Sequence, residues 1–247
     1  MLVTGGMTIL TMFPSLWLSG QNFDGGHPSG DEVITGDASG RTKDSVGNAV
    51  TPSGTIKVVN DGGHSAYYFD KSNSITSAAI VNAAYSFVYV FRRPTLSTDT
   101  GRTFTGSAGN RLFGTWSTYV GAYHVDAWVI EQKKSSTLIE CYIATNNAGK
   151  KNMWDVRLDQ KLATDITLGA NEWGQTVVGK PAQYGDQAGV VYVYEALLFE
   201  YALSAEQVAH IKTEFKEKYR IQFFSNFPVF FVFLLSTRIP IVIPYSF

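Results

Sequence analysis

A single cysteine, Cys141, stands among 247 residues, so the sequence holds no internal disulfide framework and no CxxC-type zinc or redox site. Charge is scarce and unbiased: 20 basic side chains meet 21 acidic ones, and charged residues make up 17% of the chain. With no clustered basic face, nothing recommends nucleic acid as a partner. The catalytic signatures G-x-S-x-G, H-E-x-x-H and the Walker loop are all missing. Asn-x-Ser/Thr sequons are missing too. Together with the lack of disulfides, this points away from a eukaryotic secreted protein. A spanning helix needs about 20 consecutive apolar residues, and no such run exists. Near the C-terminus the unbroken stretch is Val229 to Leu235, and Pro228, Pro240, Pro244 and Arg238 interrupt its surroundings.

What the chain has in quantity is turns and rings: 23 glycines, and aromatics at 14%. From Trp17 to about Asn82, Gly-, Asp- and Ser-rich text (FDGGHPSGDEV, GDASGRTKDSVGN, NDGGH) supplies the corners that tight turns need. Short apolar runs lie between them, at Ser15 to Leu18, Ile56 to Val59 and Ala66 to Phe69. The strand signal strengthens at Tyr85 to Arg92. It continues through Arg111 to Thr115, Thr118 to Tyr123, Ala127 to Glu131, Thr137 to Thr145, Lys151 to Leu158, Thr176 to Gly179 and Gly189 to Glu200. Spacing near ten residues with polar breaks predicts an all-β protein of antiparallel sheets packed face to face.

One segment differs. Ser204 followed by Gln207 forms a capping box, and Val208, Ile211, Phe215 and Tyr219 recur at helical spacing, so a helix should seal one side of the sandwich. A single domain over residues 14–221 is expected. Residues 1–13 would be a lead-in without structure, lacking the basic region of a secretory signal. Residues 222–247 form an apolar tail outside the domain. The prolines weigh against a membrane anchor there and favour a strip that packs on neighbours, or appended sequence.

Four pieces in order carry a resemblance: PSLWL (Pro14 to Leu18), GDASGRTKDSVGNAV (Gly36 to Val50), HSAYYFDKSNSIT (His64 to Thr76) and the closing strand with its LS-x-x-E/Q-type cap and helix (Gly189 to Ile221). Over Pro14 to Ile221 the chain resembles the concanavalin A-like, laminin G-like domains. The resemblance implies a two-sheet jelly-roll sandwich with one C-terminal capping helix. It also implies a tail outside the domain and makes calcium in rim loops worth testing.

Enzymatic relatives of that fold carry an E-x-D-x-x-E strand, because retaining hydrolysis needs two carboxyls ~5 Å apart. No such triplet occurs. Glu195 and Glu200 would point to opposite faces, Glu131 and Glu140 lie on separate strands, and Asp155 and Asp159 would stand ~13 Å apart on one face. A hydrolase is therefore not expected. His27, His64, His124 and His210 are scattered, and Cys141 reads as a buried structural thiol. No cofactor is required, but Asp37, Asp44 and Asn48 form an oxygen-rich loop that could hold Ca²⁺; turn chemistry is the alternative. Aromatics are the better lead for a ligand: Trp116, Tyr119 and Tyr123 with His124 and Asp126 nearby, and Trp173 and Tyr184 in turn-like text. For Trp116 and Trp128 a place in the core is the competing and favoured reading. The expected function is non-catalytic binding of a glycan or surface ligand at a cell surface or virion. A structural subunit of a viral or phage particle or surface layer, self-associating through the tail, is the alternative.

Overall fold

The computed structural model describes residues 7–20, 36–96, 101–168, 172–181 and 183–221; the apolar tail lies outside them. In chain order the strands are β1 (Leu16–Ser19), β2 (Gly36–Asp37), β3 (Val50–Ser53), β4 (Lys57–Asp61), β5 (His64–Asp70), β6 (Ser74–Val81), β7 (Ala84–Arg92) and β8 (Phe104–Gly106). They continue with β9 (Arg111–Trp116), β10 (Tyr119–Val125), β11 (Trp128–Lys134), β12 (Glu140–Asn147), β13 (Lys150–Asp155), β14 (Gln160–Thr167), β15 (Gly174–Gly179) and β16 (Val190–Phe199), and the helix α1 (Ala205–Lys218) follows.

The larger layer is a nine-stranded antiparallel sheet ordered β14-β13-β12-β7-β16-β5-β4-β2, with β1 also paired to β16. A four-stranded sheet, β3-β6-β15-β8, and a three-stranded one, β11-β10-β9, make the opposite layer. Between the layers lies an aromatic core. The Phe87 ring centroid stands 4.3 Å from Trp173, 5.2 Å from Phe104 and 5.7 Å from Phe113. These rings explain why β7 and β16 read as almost continuous apolar text: both faces are covered. One face meets the opposite layer, and the other meets α1 through Val208, Ile211 and Phe215.

The helix forms as its text predicts. Ser204 Oγ accepts from Gln207 N at 3.2 Å, and Gln207 Oε1 accepts from Ser204 N at 2.8 Å, so two otherwise orphaned donors are satisfied reciprocally. Cys141 is buried on the same face, and burial pushes its thiol well above the usual range. None of the described helices is long and apolar enough to cross a membrane.

Three expectations need correction. Residues 7–13 are not an unstructured lead-in. Ile9 and Met12 are buried with Trp17 on the helix-covered face, and the Tyr201 hydroxyl donates to Met12 O at 2.6 Å. Strands β2, β3, β6, β8 and β14 were not anticipated; β14 reads QKLATDIT and has an exposed edge, so it carries no apolar run. Finally, β16 is not a regular strand. Its register against β7 shifts between Val193 and Glu195, and the resulting bulge turns Tyr194 and Glu195 to the same, helix-side face. There Glu195 accepts from Trp17 Nε1 at 2.7 Å, Tyr219 OH at 2.6 Å and Lys218 Nζ at 2.6 Å.

Candidate functional site

The aromatics that suggested a site divide into two groups. Trp173 and Tyr123 are fully buried in the sandwich core, where Tyr123 OH donates to Tyr85 OH at 3.2 Å. Neither ring can meet a ligand at the surface. Their text looked like turn and hairpin because burial depends on which layer lies above, and adjacent residues do not encode that. Tyr119 sits half-buried at the β9–β10 turn, paired in register with Trp116.

Trp116 and Tyr184 do come together, through a residue the sequence did not single out. Arg102 lies with its guanidinium carbon 5.0 Å from the centre of the Trp116 ring and 4.3 Å from that of Tyr184. Such contacts combine stacking with attraction of the cation to the ring face. The backbone holds Arg102 in place: its N–H donates to Gln187 O at 2.8 Å, and Gly189 N donates to Arg102 O at 3.2 Å. Its side chain donates from Nε to Gln187 Oε1 at 2.6 Å and from Nη2 to Asn110 Oδ1 at 2.8 Å.

Trp128 extends the cluster. Its ring centroid is 6.1 Å from Trp116 and 4.8 Å from His124, which meets it edge-on. Along β10 and β11, Tyr123, Val125 and Val129 face the core, so the alternation of a strand sends His124 and Trp128 to the opposite side. Gly121 at φ +83° takes up the irregularity that lets this short sheet curl. Contrary to the favoured core reading, Trp128 is 38% exposed and Trp116 half-buried. Asn110 anchors the far side: its backbone carbonyl faces His124 Nδ1 at 2.9 Å, and its backbone N donates to Asp126 Oδ1 at 3.2 Å. Asp126 is in turn paired with Arg111. The result is a platform of two tryptophans and a tyrosine, edged by Asn110, Gln187 and His124.

In the loop that offered possible calcium ligands, the oxygens of Asp44 and Asp37 are engaged by local donors. Asp44 is buried, and Oδ1 accepts from Val46 N at 3.0 Å and Asn48 N at 2.7 Å. Its Oδ2 accepts from Trp17 N at 2.7 Å and Asn48 Nδ2 at 3.1 Å. Four donors fill the acceptor sites of a carboxylate, so Asp44 and Asn48 build the turn that receives β1. Asp37 Oδ1 accepts from Ser39 N and Oγ, a local turn closure. Among the described residues no three His, Cys, Asp or Glu side chains are placed to share a metal ion.

Two carboxylates do come together from separate strands. Glu140 Oε2 and Asp155 Oδ2 lie 2.7 and 3.2 Å from Lys134 Nζ, and Arg157 lies 3.1 Å from Glu140 Oε1. Both acids are fully buried. A separate cleft of about 930 Å³ opens beside the C-terminal end of α1, lined by Asp61, His64, Arg92, Tyr194, Lys218 and Arg220. Its main charges are paired internally: Asp61 with Arg92 and the Tyr194 hydroxyl, Lys218 with Glu195.

These environments set the acid response. Burial pulls His64 below the usual histidine value, with Lys218 and Arg220 adding to it. Burial does the same to His124 and outweighs its hydrogen bond to Asn110 O. Protons therefore bind the unfolded chain more readily once pH drops below about 6.5, and stability falls. Asp61 and Asp126 are partly buried, but their hydrogen bonds to Arg92 and Arg111 leave both carboxyls lowered; Lys212 lowers Asp159. Their stabilisation is complete above the unfolded value of about 3.9 and disappears as pH falls through the lower folded values. The melting temperature should decline gently from pH 7 to 5 and steeply below pH 4. The double variant His64→Gln/His124→Gln should flatten the first decline alone; an unchanged profile would assign that decline to other groups.

No family model and no curated protein matches the sequence. Solved structures do resemble the fold. A tryptophan-to-alanine mutant of HCR/D aligns with a TM-score of 0.51 at 10% identity, over 84% of this chain and 52% of that one. A structure described under the cell entry of botulinum neurotoxin type C, dependent upon interaction with two ganglioside molecules, aligns at 0.49 and 10% identity, over 72% and 47%. Domain 4 of AbnA, an extracellular arabinanase from Geobacillus stearothermophilus in complex with arabinotriose, aligns at 0.48 and 16% identity, over 68% and 89%. The chain spans about half the length of the first two. At such identities the likeness establishes the fold: this chain is an antiparallel two-sheet β-sandwich closed by a C-terminal helix.

Proposed function

We propose that this domain is a non-catalytic carbohydrate-binding sandwich of the concanavalin A-like, laminin G-like kind, with a saccharide seated on Trp116 and Trp128. The observation that carries the reading is the platform itself. Two adjacent indoles, one half-buried and one 38% exposed, lie 6.1 Å apart at the edge of the short sheet, and an indole face suits the C–H side of a sugar. Beside them Asn110, Gln187 and His124 supply the few polar groups that fix a ligand's orientation. Binding without cleavage fits the carboxylates. The pair that adjoining strands bring together, Glu140 and Asp155, is sealed from any polysaccharide and neutralised by Lys134 and Arg157.

The test is a glycan-array screen followed by calorimetric titration of the hits. Trp116→Ala and Trp128→Ala should each weaken binding about tenfold or more. Melting temperatures should stay close to the parent's, because neither ring is part of the core. Full binding by the double variant would remove the platform from the account, and release of reducing ends from a bound glycan would overturn the non-catalytic reading.

A further inference from the structure

The platform contains one group that a neutral sugar does not explain. Arg102 is 3% exposed. Two of its three guanidinium nitrogens have partners, and both partners, Gln187 Oε1 and Asn110 Oδ1, are uncharged. Nη1 is shielded from solvent and has no hydrogen-bond partner among the described residues. The carboxylates nearby do not complete it. Asp126 is engaged by Arg111, and Asp186, in the exposed turn beside Tyr184, acts on Arg102 only through space. A guanidinium that cannot lose its proton, stripped of water and without a counter-ion among the described residues, is an unfavourable arrangement. The surrounding network nevertheless holds its planar fork in one orientation between two rings.

We propose that Arg102 is the recognition group for an acidic substituent, so that the ligand of this platform is a saccharide bearing a carboxylate or a sulfate ester. The inference rests on the saccharide reading above and narrows it. Because Nη1 is shielded and the half-buried Tyr184 ring covers the guanidinium, the substituent enters by displacing that ring, and its oxyanion then accepts from the Nη1 donor in a charge-assisted hydrogen bond. Trp116 serves both roles: its ring carries the sugar and lies against Arg102. The chain's formal charge of −1 offers no general attraction for polyanions, so a preference for acidic sugars requires a local cause.

The experiment compares matched ligands on the full chain: an oligogalacturonide against its carboxyl-reduced form, and a sulfated galactan oligosaccharide against its desulfated form. One acidic member should bind about tenfold tighter than its neutral twin at low salt, and added salt should narrow the gap. Which pair shows the gap separates carboxylate from sulfate. Arg102→Gln should abolish the gap while weak binding of the neutral twin persists, and Trp116→Ala should weaken both twins. Arg102→Lys, which keeps the charge and loses the fork, should restore part of the gap at most. If these variants do not fold, the guanidinium N–H resonances of Arg102 in the parent chain should shift with the acidic twin and not with the neutral one. Equal binding of both twins would overturn the acidic preference and leave the saccharide reading standing. Failure of every sugar to bind would overturn both. A gap that survives in folded Arg102→Gln would move the anion to another surface, such as the cleft with Arg92 and Arg220, and end the assignment to Arg102.

Discussion

Glu195→Ala is expected to destabilise the chain by about 3–5 kcal/mol, the range for breaking a buried ion pair on one side. The carboxylate is fully buried and gathers four donors from two elements: Trp17 Nε1 and Ser19 Oγ from β1, with Lys218 and the C-cap residue Tyr219 from the end of α1. Alanine would leave the Lys218 ammonium half-sheltered without its counter-charge and three further donors unpaired. At roughly 2–4 °C per kcal/mol for a domain of this size, the melting temperature should fall by about 10 °C. Hydrogen exchange should report first at the last turn of α1 and at β1, the elements Glu195 ties to β16. Glu195→Gln keeps the shape but confronts those donors with an amide, so it should recover only part of the loss. A loss below 1 kcal/mol for Glu195→Ala would mean that apolar packing of α1 alone holds this corner.

Trp173→Ala should be of similar size for a different reason, about 3–5 kcal/mol through lost burial and a residual cavity. Its indole packs within 4.3 to 6.5 Å, centroid to centroid, of Phe87, Tyr85, Phe104 and Tyr123, at the centre of the sandwich. The indole Nε1 is buried without a hydrogen-bond partner among the described residues, so Trp173→Phe removes an unsatisfied donor along with the volume and should lose much less than alanine does. Denaturant midpoints would measure both. The contrast with Trp116→Ala is the sharper test: one tryptophan should cost stability and spare sugar binding once folded, the other the reverse. Matching effects at the two positions would contradict the division between core and platform.

That contrast also marks where sequence reading reaches its limit. Trp116 and Trp173 stand in similar glycine-flanked text, GTWST and NEWGQ. The text favours the core for Trp116 and leaves Trp173 open between core and surface, yet Trp173 is the one buried between the layers and Trp116 the one left at an edge. Arg102 shows the same limit from the other side. Its local text, GRTF, is unremarkable, and its two flanking rings lie 14 and 82 residues away in sequence, brought together by the backbone bridge between Arg102 and Ala188. Asp44 looked like a cation ligand because its type and loop fit one. Four donors, one of them from β1 far back in the chain, give it another task.

Local physics by itself determined a good deal. The capping box and the apolar stripe of α1 follow from the hydrogen-bond needs of a helix end and the 3.6-residue period, both readable within one stretch of chain. The central strands β7 and β16 are written as long apolar runs because they are covered on both faces. Edge strands such as β14, half-solvated, leave no such trace. What the tertiary structure alone decided is parity and company. One bulge in β16 turns Tyr194 and Glu195 to the same side, and a fold of distant strands chooses which aromatics become core and which become platform. Side-chain direction in a sheet depends on every irregularity before it, and burial depends on the layer opposite; neither quantity is local to the residues that display it.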